Sequence, residues 1–486
     1  MTYLLAGCSV VPAPLTDVEV ATQAIDVSRR VTADQEPVSG AIDLYEAMAR
    51  ALKYNLDLRV EEMTAAVRVR ELDLAHFSLL PNVVANSGYA GRNNDNASNS
   101  VNIFTGVESL ATSTSQERRM SNADIAFSWN ILDFGLSYVR ARQAADKYLI
   151  AEEMRRRVIT RIIEDVRTAY WRAVSADRLI SRLGALEVRI RQARANARAT
   201  AADRQTSPIT AATYERELVE IKRAIQELQR DLSVARTQLA ALMNLKPGTR
   251  FALAGGSHSR LVSLPMPVSD MISTALQNRS ELREVWYQKR INKHELDAAL
   301  LELLPGLTPY AGTNYDSNDF LYNSHWLSWG AKASWNLIRV FQYPAKREVI
   351  EAQEHQLDAR SLAVAMAVVT QVHVSRIRFL QFSKELATAN EFLSVQRRLL
   401  GLMRTQAEAD RISEQTLIRE EMNTLVAEAK RDIAHAGAQN AFASIYTSMG
   451  LAPFAGGLDK NSSVKELASQ LRAVWSERGA RRLASR

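Results

Sequence analysis

The chain has 486 residues, 47% of them apolar and 24% charged, with a net charge of +7. It has room for about two to four ordinary domains or one elongated architecture, and it is too apolar for a disordered chain. The single cysteine excludes an internal disulfide and a cysteine-rich metal site, and the basic residues are spread out, whereas a nucleic-acid binder gathers them on one face or arm.

Residues 1–40 read as a leader followed by extended chain. Leu5-Ala6-Gly7-Cys8 resembles the lipobox of bacterial lipoproteins, which makes Cys8 the expected site of acylation. Only seven residues precede it and none is basic, unlike a full signal peptide. The alternative is a lone cysteine in a flexible leader.

From residue 41 the chain is written twice. Ala51-Leu52 matches Ala275-Leu276, Glu71-Leu72-Asp73 matches Glu295-Leu296-Asp297, and Leu79-Leu80-Pro81 matches Leu303-Leu304-Pro305, each at an offset of 224 residues. Past the prolines the offset falls. Trp129 matches Trp335 at 206, and Ala202-Asp203-Arg204 matches Ala409-Asp410-Arg411 at 207. Repeat 1 is therefore assigned to residues 41–248, a linker to 249–265, repeat 2 to 266–451 and a tail to 452–486. The first copy carries about 18 extra residues between its proline and its Trp-Asn.

Each repeat opens with a helix and continues into a β-hairpin, over 82–131 in the first copy and 306–337 in the second. Ile125, Phe127, Trp129 and Ile131 alternate with Asp124, Ala126, Ser128 and Asn130. In the second copy Leu327, Trp329, Ala331, Ala333, Trp335 and Leu337 alternate with Ser328, Gly330, Lys332, Ser334 and Asn336. Strict period two predicts strands with one apolar and one wet face. Residues 92–121 and 316–325, rich in Asn, Ser and Asp, predict the turns.

Long helices follow. Residues 137–200 hold no proline and place Val158, Ile162, Val166, Ala169 and Ala173 at steps of three and four; residues 345–407 obey the same rule. About 60 residues at a rise of about 1.5 Å make a rod of roughly 90 Å. Each rod ends at an Ala-Asp-Arg tip and turns back. Ser207 before Pro208, and Ser413, are the expected N-caps of return helices over 209–244 and 414–449. Asn244–Gly248 and Met449–Gly457 stop them.

No wholly apolar run exceeds Leu362–Val369, far short of the roughly 20 residues of a helical span, so no helix is expected to cross a membrane. A β-barrel is not excluded, because its alternating strands leave a faint hydropathy trace. The repeated Ser-Trp-Asn, read as the end of each second strand, sets an aromatic at a membrane–water boundary. Two hairpins cannot close a barrel and their free edges have no place in lipid, so several chains must combine.

On the duplicated Leu-Leu-Pro, the duplicated Ser-Trp-Asn and the Ser448-Met449-Gly450-Leu451 that closes the last helix, the chain resembles the TolC-like outer-membrane factors over about residues 40–450. The resemblance implies an α+β membrane protein, internally duplicated, with long antiparallel coiled-coil helices and two β-hairpins per chain. Such chains trimerise into a twelve-stranded outer-membrane β-barrel with a periplasmic α-helical barrel. The implied function is the exit duct of a tripartite efflux pump or type I secretion system in the outer membrane of a Gram-negative bacterium, lipid-anchored through Cys8. The implied partners are two further copies, a periplasmic membrane-fusion adaptor, an inner-membrane pump of the RND or ABC type and outer-membrane lipid. No cofactor and no nucleic acid enter.

The resemblance also assigns sites. Asp203, Arg204, Asp410 and Arg411, with Glu414, Thr416 and Arg419, stand where adaptor docking or a gate is implied. The family's tip glycines are replaced by Asp203 and Asp410, and its ring of aspartates falls at about Thr416 and Arg419. A shift of one helical turn brings Glu414 or Glu420 inward instead. For the two Asp-Arg pairs a solvated helix–turn boundary is the alternative. Phe127, Trp129, Trp329 and Trp335 are expected to face lipid, and Lys332 the lumen.

Seven histidines are scattered, and His294-Glu295 lacks the second histidine of a zinc-protease helix. There is no nucleophile elbow, P-loop or dinucleotide fingerprint, so neither catalysis nor a metal site is expected. A second function class is a periplasmic coiled-coil adaptor or structural envelope protein, its hairpins forming small lipoyl-like docking modules. Residues 468–486 either fold as a helix against the rods or stay loose.

Overall fold

The computed structural model describes residues 12–33, 35–202, 207–246, 248–255, 266–409, 411–451, 459 and 462–480; Cys8, Asp203, Arg204 and Asp410 lie outside them. The first repeat contains α2 (Leu44–Tyr54), α3 (Leu56–Phe77), β1 (Asn82–Gly91), β2 (Ala97–Ser98), β3 (Ser113–Thr114), β4 (Arg119–Ser128), α4 (Ile131–Ala202) and α5 (Pro208–Leu242), preceded by α1 (Asp17–Arg30). The second contains α6 (Val268–Asn278), α7 (Ser280–Leu301), β5 (Gly306–Asp316), β6 (His325–Ser334), α8 (Ile338–Glu408) and α9 (Glu414–Ser448), followed by α10 (Val464–Ala480).

The duplication is visible element by element. Asn55 breaks α2 from α3 at ψ 128°, and Arg279 breaks α6 from α7 at the same ψ of 128°. The return helices α5 and α9 have 35 residues each, and the long helices α4 and α8 have 72 and 71. Each return helix ends on a left-handed residue, Asn244 at φ 57° and Gly450 at φ 72°. Gly and Asn are the residues that take this conformation at least cost, which is how a helix stops without leaving carbonyls stranded.

The chain divides into two units: Met1–Glu61 with Arg155–Ser280 and Met366–Arg486, and Glu62–Met154 with Glu281–Ala365. In the first, Leu179, Leu183, Leu186, Ile190 and Ala193 of α4 interlock with Leu218, Ile221 and Ile225 of α5 and with Ile418, Met422, Leu425 and Ala429 of α9. The alternating steps of three and four are the knobs-into-holes spacing of a coiled coil. The tail is a helix here: α10 packs on α2, burying Val464, Leu467, Leu471 and Trp475, with the Arg167 guanidinium 4.5 Å above the Trp475 ring.

In the second unit all four long strands form one antiparallel sheet in the order β1-β4-β5-β6. The two hairpins are joined through β4–β5, from Asn122↔Asp316 to Ser128↔Tyr310. They are therefore one structure, which removes the separate docking modules that an adaptor reading requires. Beside the sheet the helices are pinned by polar contacts. Arg290 donates through Nε to both oxygens of buried Asp146, at 2.9 and 3.0 Å, and Asn292 Nδ2 donates to Ile350 O at 3.1 Å.

Two sequence expectations are corrected. The alternation through Trp129–Ile131 and Trp335–Leu337 predicts strand, yet the strands end at Ser128 and Ser334. The cause is the asparagine. Asn130 Oδ1 accepts from Leu132 N (3.0 Å) and Asp133 N (3.4 Å), and Asn336 Oδ1 accepts from Ile338 N (3.2 Å). These bonds start α4 and α8 six or seven residues before the predicted 137 and 345, with Pro344 accommodated inside α8. Second, α8 contains an 18-residue window of mean hydropathy 1.2, so among the described residues one helix is long and apolar enough by composition to cross a membrane. A window averages over polar interruptions that an uninterrupted-run criterion does not tolerate.

Candidate functional site

The sheet is two-sided. Because directly paired residues share a face, Val83, Phe127, Ala311 and Trp329 form one row across all four strands, and Ala85, Ile125, Thr313 and Leu327 form the next. The opposite face is mostly polar, carrying Asn82, Asn86, Asp124, Ser128, Thr308, Asn314, Ser328 and Lys332, with Val84, Tyr310 and Trp326 set among them. Its polar groups bond to each other: Asn86 Nδ2 donates to Asp124 Oδ2 at 3.0 Å and Asn314 Nδ2 to Ser328 Oγ at 2.9 Å. The apolar face is uncovered, Leu327 being 79% and Trp329 83% exposed, and Lys332 is exposed on the polar side. Strands β1 and β6 have no partner on their outer edges among the described residues.

Where the sheet meets the helices stand the two tryptophans of the repeated phrase. Trp129 continues the β4–β5 ladder by donating its N–H to Pro309 O at 3.1 Å, and its ring meets Phe134 edge-on at 5.5 Å. Trp335 Nε1 donates to Leu303 O at 3.0 Å, tying the phrase to the Leu-Leu-Pro that begins the hairpin. The Trp335 indole thus has an apolar body and a bonded polar tip, the arrangement that suits a boundary between greasy and wet surroundings, while Trp129 is held at the corresponding place through its backbone N–H.

The second candidate feature belongs to the helices of the first unit. Glu421 of α9 pairs with Arg189 of α4 and, at 3.1 Å, with Arg404 of α8. Seven residues on, Glu428 pairs with Arg182 of α4 and, at 2.9 Å, with Arg397 of α8. All three members step by seven, so two identical Arg–Glu–Arg clamps are stacked two helical turns apart. Below them Asp432 meets Arg178 and accepts from Ser175 Oγ at 3.0 Å. The Glu428 side chain is 4% exposed, and two guanidiniums fill its oxygens. A carboxylate so deeply placed is tolerable only when fully bonded.

Toward the Ala-Asp-Arg end the pattern continues through α5. Glu215 bridges Arg194, at 2.7 Å, and Arg198; hydrogen bonds from these arginines hold its carboxyl down to about 2. Glu217 accepts from Arg419 and Gln415 of α9. Thus Arg419 is taken into an ion pair within the chain. Thr416 belongs to the α9 cap, its N–H donating to Ser413 Oγ at 3.2 Å, while Arg411 and Glu414 are exposed. Glu420 is buried against Gln396 of α8. Sequence reasoning missed the Arg–Glu–Arg clamps, although their shared seven-residue spacing was the available signal. Among the described residues no group of three or more His, Cys, Asp or Glu side chains is placed to hold a metal ion.

Solved structures give the comparison. The chain is similar to the Campylobacter jejuni CmeC outer membrane channel at 12% identity and TM-score 0.67, covering 91% of this chain and 95% of that one. It is similar to the open state of the Neisseria gonorrhoeae MtrE outer membrane channel at 16% identity and TM-score 0.64, covering 86% and 96%. A structure of CusC, described in terms of transmembrane channel formation, matches at 16% identity and TM-score 0.64, also over 86% and 96%. No family model matches the sequence, and no curated protein matches it. At such identities the likeness establishes the fold, and it is the one implied by the resemblance: long antiparallel helices joined to two hairpins, as in outer-membrane channels.

Proposed function

We propose that this chain is the outer-membrane exit duct of a tripartite efflux pump or type I secretion system, a passive conduit that works as a homotrimer. The observation that carries the reading is the four-stranded sheet with one apolar face, one polar face and two unpaired edges. Neither water nor lipid suits such a sheet alone: water penalises the exposed Trp329 rows, and lipid penalises the edge N–H and C=O groups. Closing β1 of one copy on β6 of the next removes every edge, and three copies supply twelve strands. The Val83–Phe127–Ala311–Trp329 row then faces lipid, and the face bearing Lys332 lines a wet lumen.

The helices support the same assembly. Helix α8 buries one seam, including Val368, Val372, Phe379, Leu386 and Leu393, while Leu362, Met366, Ile377, Phe392 and Val395 remain exposed. A second apolar stripe on a helix already packed through the first is what a neighbouring copy covers. The tip residues Asp203, Arg204, Asp410, Arg411 and Glu414 are assigned to docking of a periplasmic adaptor. Opening is a shift of α4, α8 and α9 against their clamps, driven by an inner-membrane pump. Acylation of Cys8 anchors the chain to the inner leaflet of the outer membrane. No chemistry is performed and no cofactor is used.

Reconstitution in planar bilayers tests the reading. Discrete, long-lived conductance from a detergent-purified trimer is expected. A monomer that stays soluble without detergent, or a folded trimer that never conducts, overturns it.

A further inference from the structure

The stretch between β1 and β4 is an ordered stalk that ends in grease. At its base Arg118 grips Asp95 through both nitrogens, Nε to Oδ1 at 2.6 Å and Nη2 to Oδ2 at 2.5 Å. Buried Asn318, from the β5–β6 turn, donates to Ser115 O at 3.0 Å. The ribbon β2–β3 follows, then Thr112 Oγ1 bonded to Asn99 Oδ1 at 2.7 Å and Ser109 N bonded to Ser100 O at 2.8 Å. The tip is locked by Asn102, whose Oδ1 accepts from Phe104 N and Thr105 N at 3.0 and 3.2 Å, and by Gly106 at φ +64°. This framework presents Ile103, Phe104 and Leu110 to solvent, 91%, 94% and 90% exposed.

The sheet itself does not require this stalk. Its twin hairpin turns through residues 317–324 alone and carries no comparable extension. An inserted, hydrogen-bonded arm whose stem is mostly Asn, Ser and Thr and whose exposed apolar residues gather toward its end has a surface that calls for a cover.

We propose that a second copy of this chain covers it: the tips of neighbouring protomers bury Ile103 and Phe104 against one another across the outer mouth of the barrel. This inference rests on the trimeric-duct reading. Lipid is the competing cover, and the composition argues against it. Residues 93–117 contain no Lys, Arg, Trp or Tyr, the residues that anchor a segment at a membrane surface, and their three charged groups, Asp95, Glu108 and Glu117, are all acidic. Reach favours the second copy. Ten residues from Arg92 to Val101 at about 3.3 Å each span at most about 30 Å, and bends at residues 93 and 94 shorten this, but a tip need reach only the axis, about 12 Å from the wall, of a twelve-stranded barrel roughly 24 Å across with strands about 4.8 Å apart and tilted by about 40°.

The test uses the full chain carrying Cys8→Ser and Phe104→Cys, so that one thiol is present. Oxidation is expected to give disulfide-linked pairs of protomers, whereas Ser98→Cys in the stem gives none. A nitroxide on residue 104 is expected to show dipolar broadening. An unlinked, unbroadened probe, or one that instead collides with membrane-dissolved oxygen, overturns the proposal. In bilayers Ile103→Ser/Phe104→Ser is expected to raise the unitary conductance above that of the unmodified duct while retaining its trimer; unchanged conductance also overturns the proposal. Failure of the duct reading is read separately, as absence of conductance from the unmodified chain.

Discussion

Gly450 lies against Asn278 so closely that a Cβ at residue 450 would stand 2.6 Å from both the carbonyl carbon and the carbonyl oxygen of Asn278. The glycine of the Ser-Met-Gly-Leu phrase is thus required twice, by its φ of 72° and by backbone pressed against it at the α6–α7 break. Gly450→Ala is expected to destabilise the chain by about 2–4 kcal/mol, since strain and overpacking combine. Its twin Asn244 already bears a side chain at φ 57°, so Asn244→Gly is expected to stay within about 1 kcal/mol. Thermal unfolding followed by helical circular dichroism separates the two.

The clamps make a sharper prediction. Glu428→Gln keeps the shape of the side chain but removes the charge shared by Arg182 and Arg397, and a loss of about 2–3 kcal/mol is expected. Combined with Glu421→Gln, the change loosens α4, α8 and α9 together, and higher resting conductance in planar bilayers is the expected readout. A double variant as stable and as closed as the unmodified chain would count against the clamps holding the helices.

At the sheet, Trp329→Arg places a charge in the row shared with Val83, Phe127 and Ala311. If that row faces lipid, the cost is about 2–4 kcal/mol per protomer at mid-bilayer depth and the detergent-resistant trimer is lost. Lys332→Glu on the other face leaves the trimer intact and shifts the ion preference of the pore toward cations, measured as a reversal potential under a salt gradient.

Acid acts on Glu215. Its carboxyl is held at about 2 in the fold by Arg198 and Arg194, against an ordinary value of 4.5. The lowered value means its contribution is complete above about pH 4.5 and drains away as pH falls toward about 2. Glu215→Gln is expected to flatten the pH dependence of unfolding over that interval, and only modestly, because the group is solvent-exposed and salt screens it.

Much of this architecture was legible in the chain. The 224-residue offset marks the two repeats and their Leu-Leu-Pro hairpin starts, but the breaks at Asn55 and Arg279, which split each opening helix in two, appear only in the structure. The alternation overruns each strand by three residues, to Ile131 and Leu337. Period two ran on through Trp129 and Trp335, and only the capping bonds of Asn130 and Asn336 show that the strand has stopped. The Arg–Glu–Arg clamps were in the letters too. Which helix meets which, however, depends on how α4, α8 and α9 pack, and seven-residue spacing on each alone does not name its partners. Residues 92–121 predict only a turn because Asn and Ser favour turns wherever they cluster, whether or not a ribbon runs between them.

Two unpaired edges on one sheet give every protomer the character of a chain link with both ends open. Nothing in such a link counts its neighbours; the count is decided by how much each link bends, through the twist and coil of β1, β4, β5 and β6. A substitution that flattens this sheet, even at its centre and far from either edge, would thereby alter how many links make a closed loop, and with it the bore.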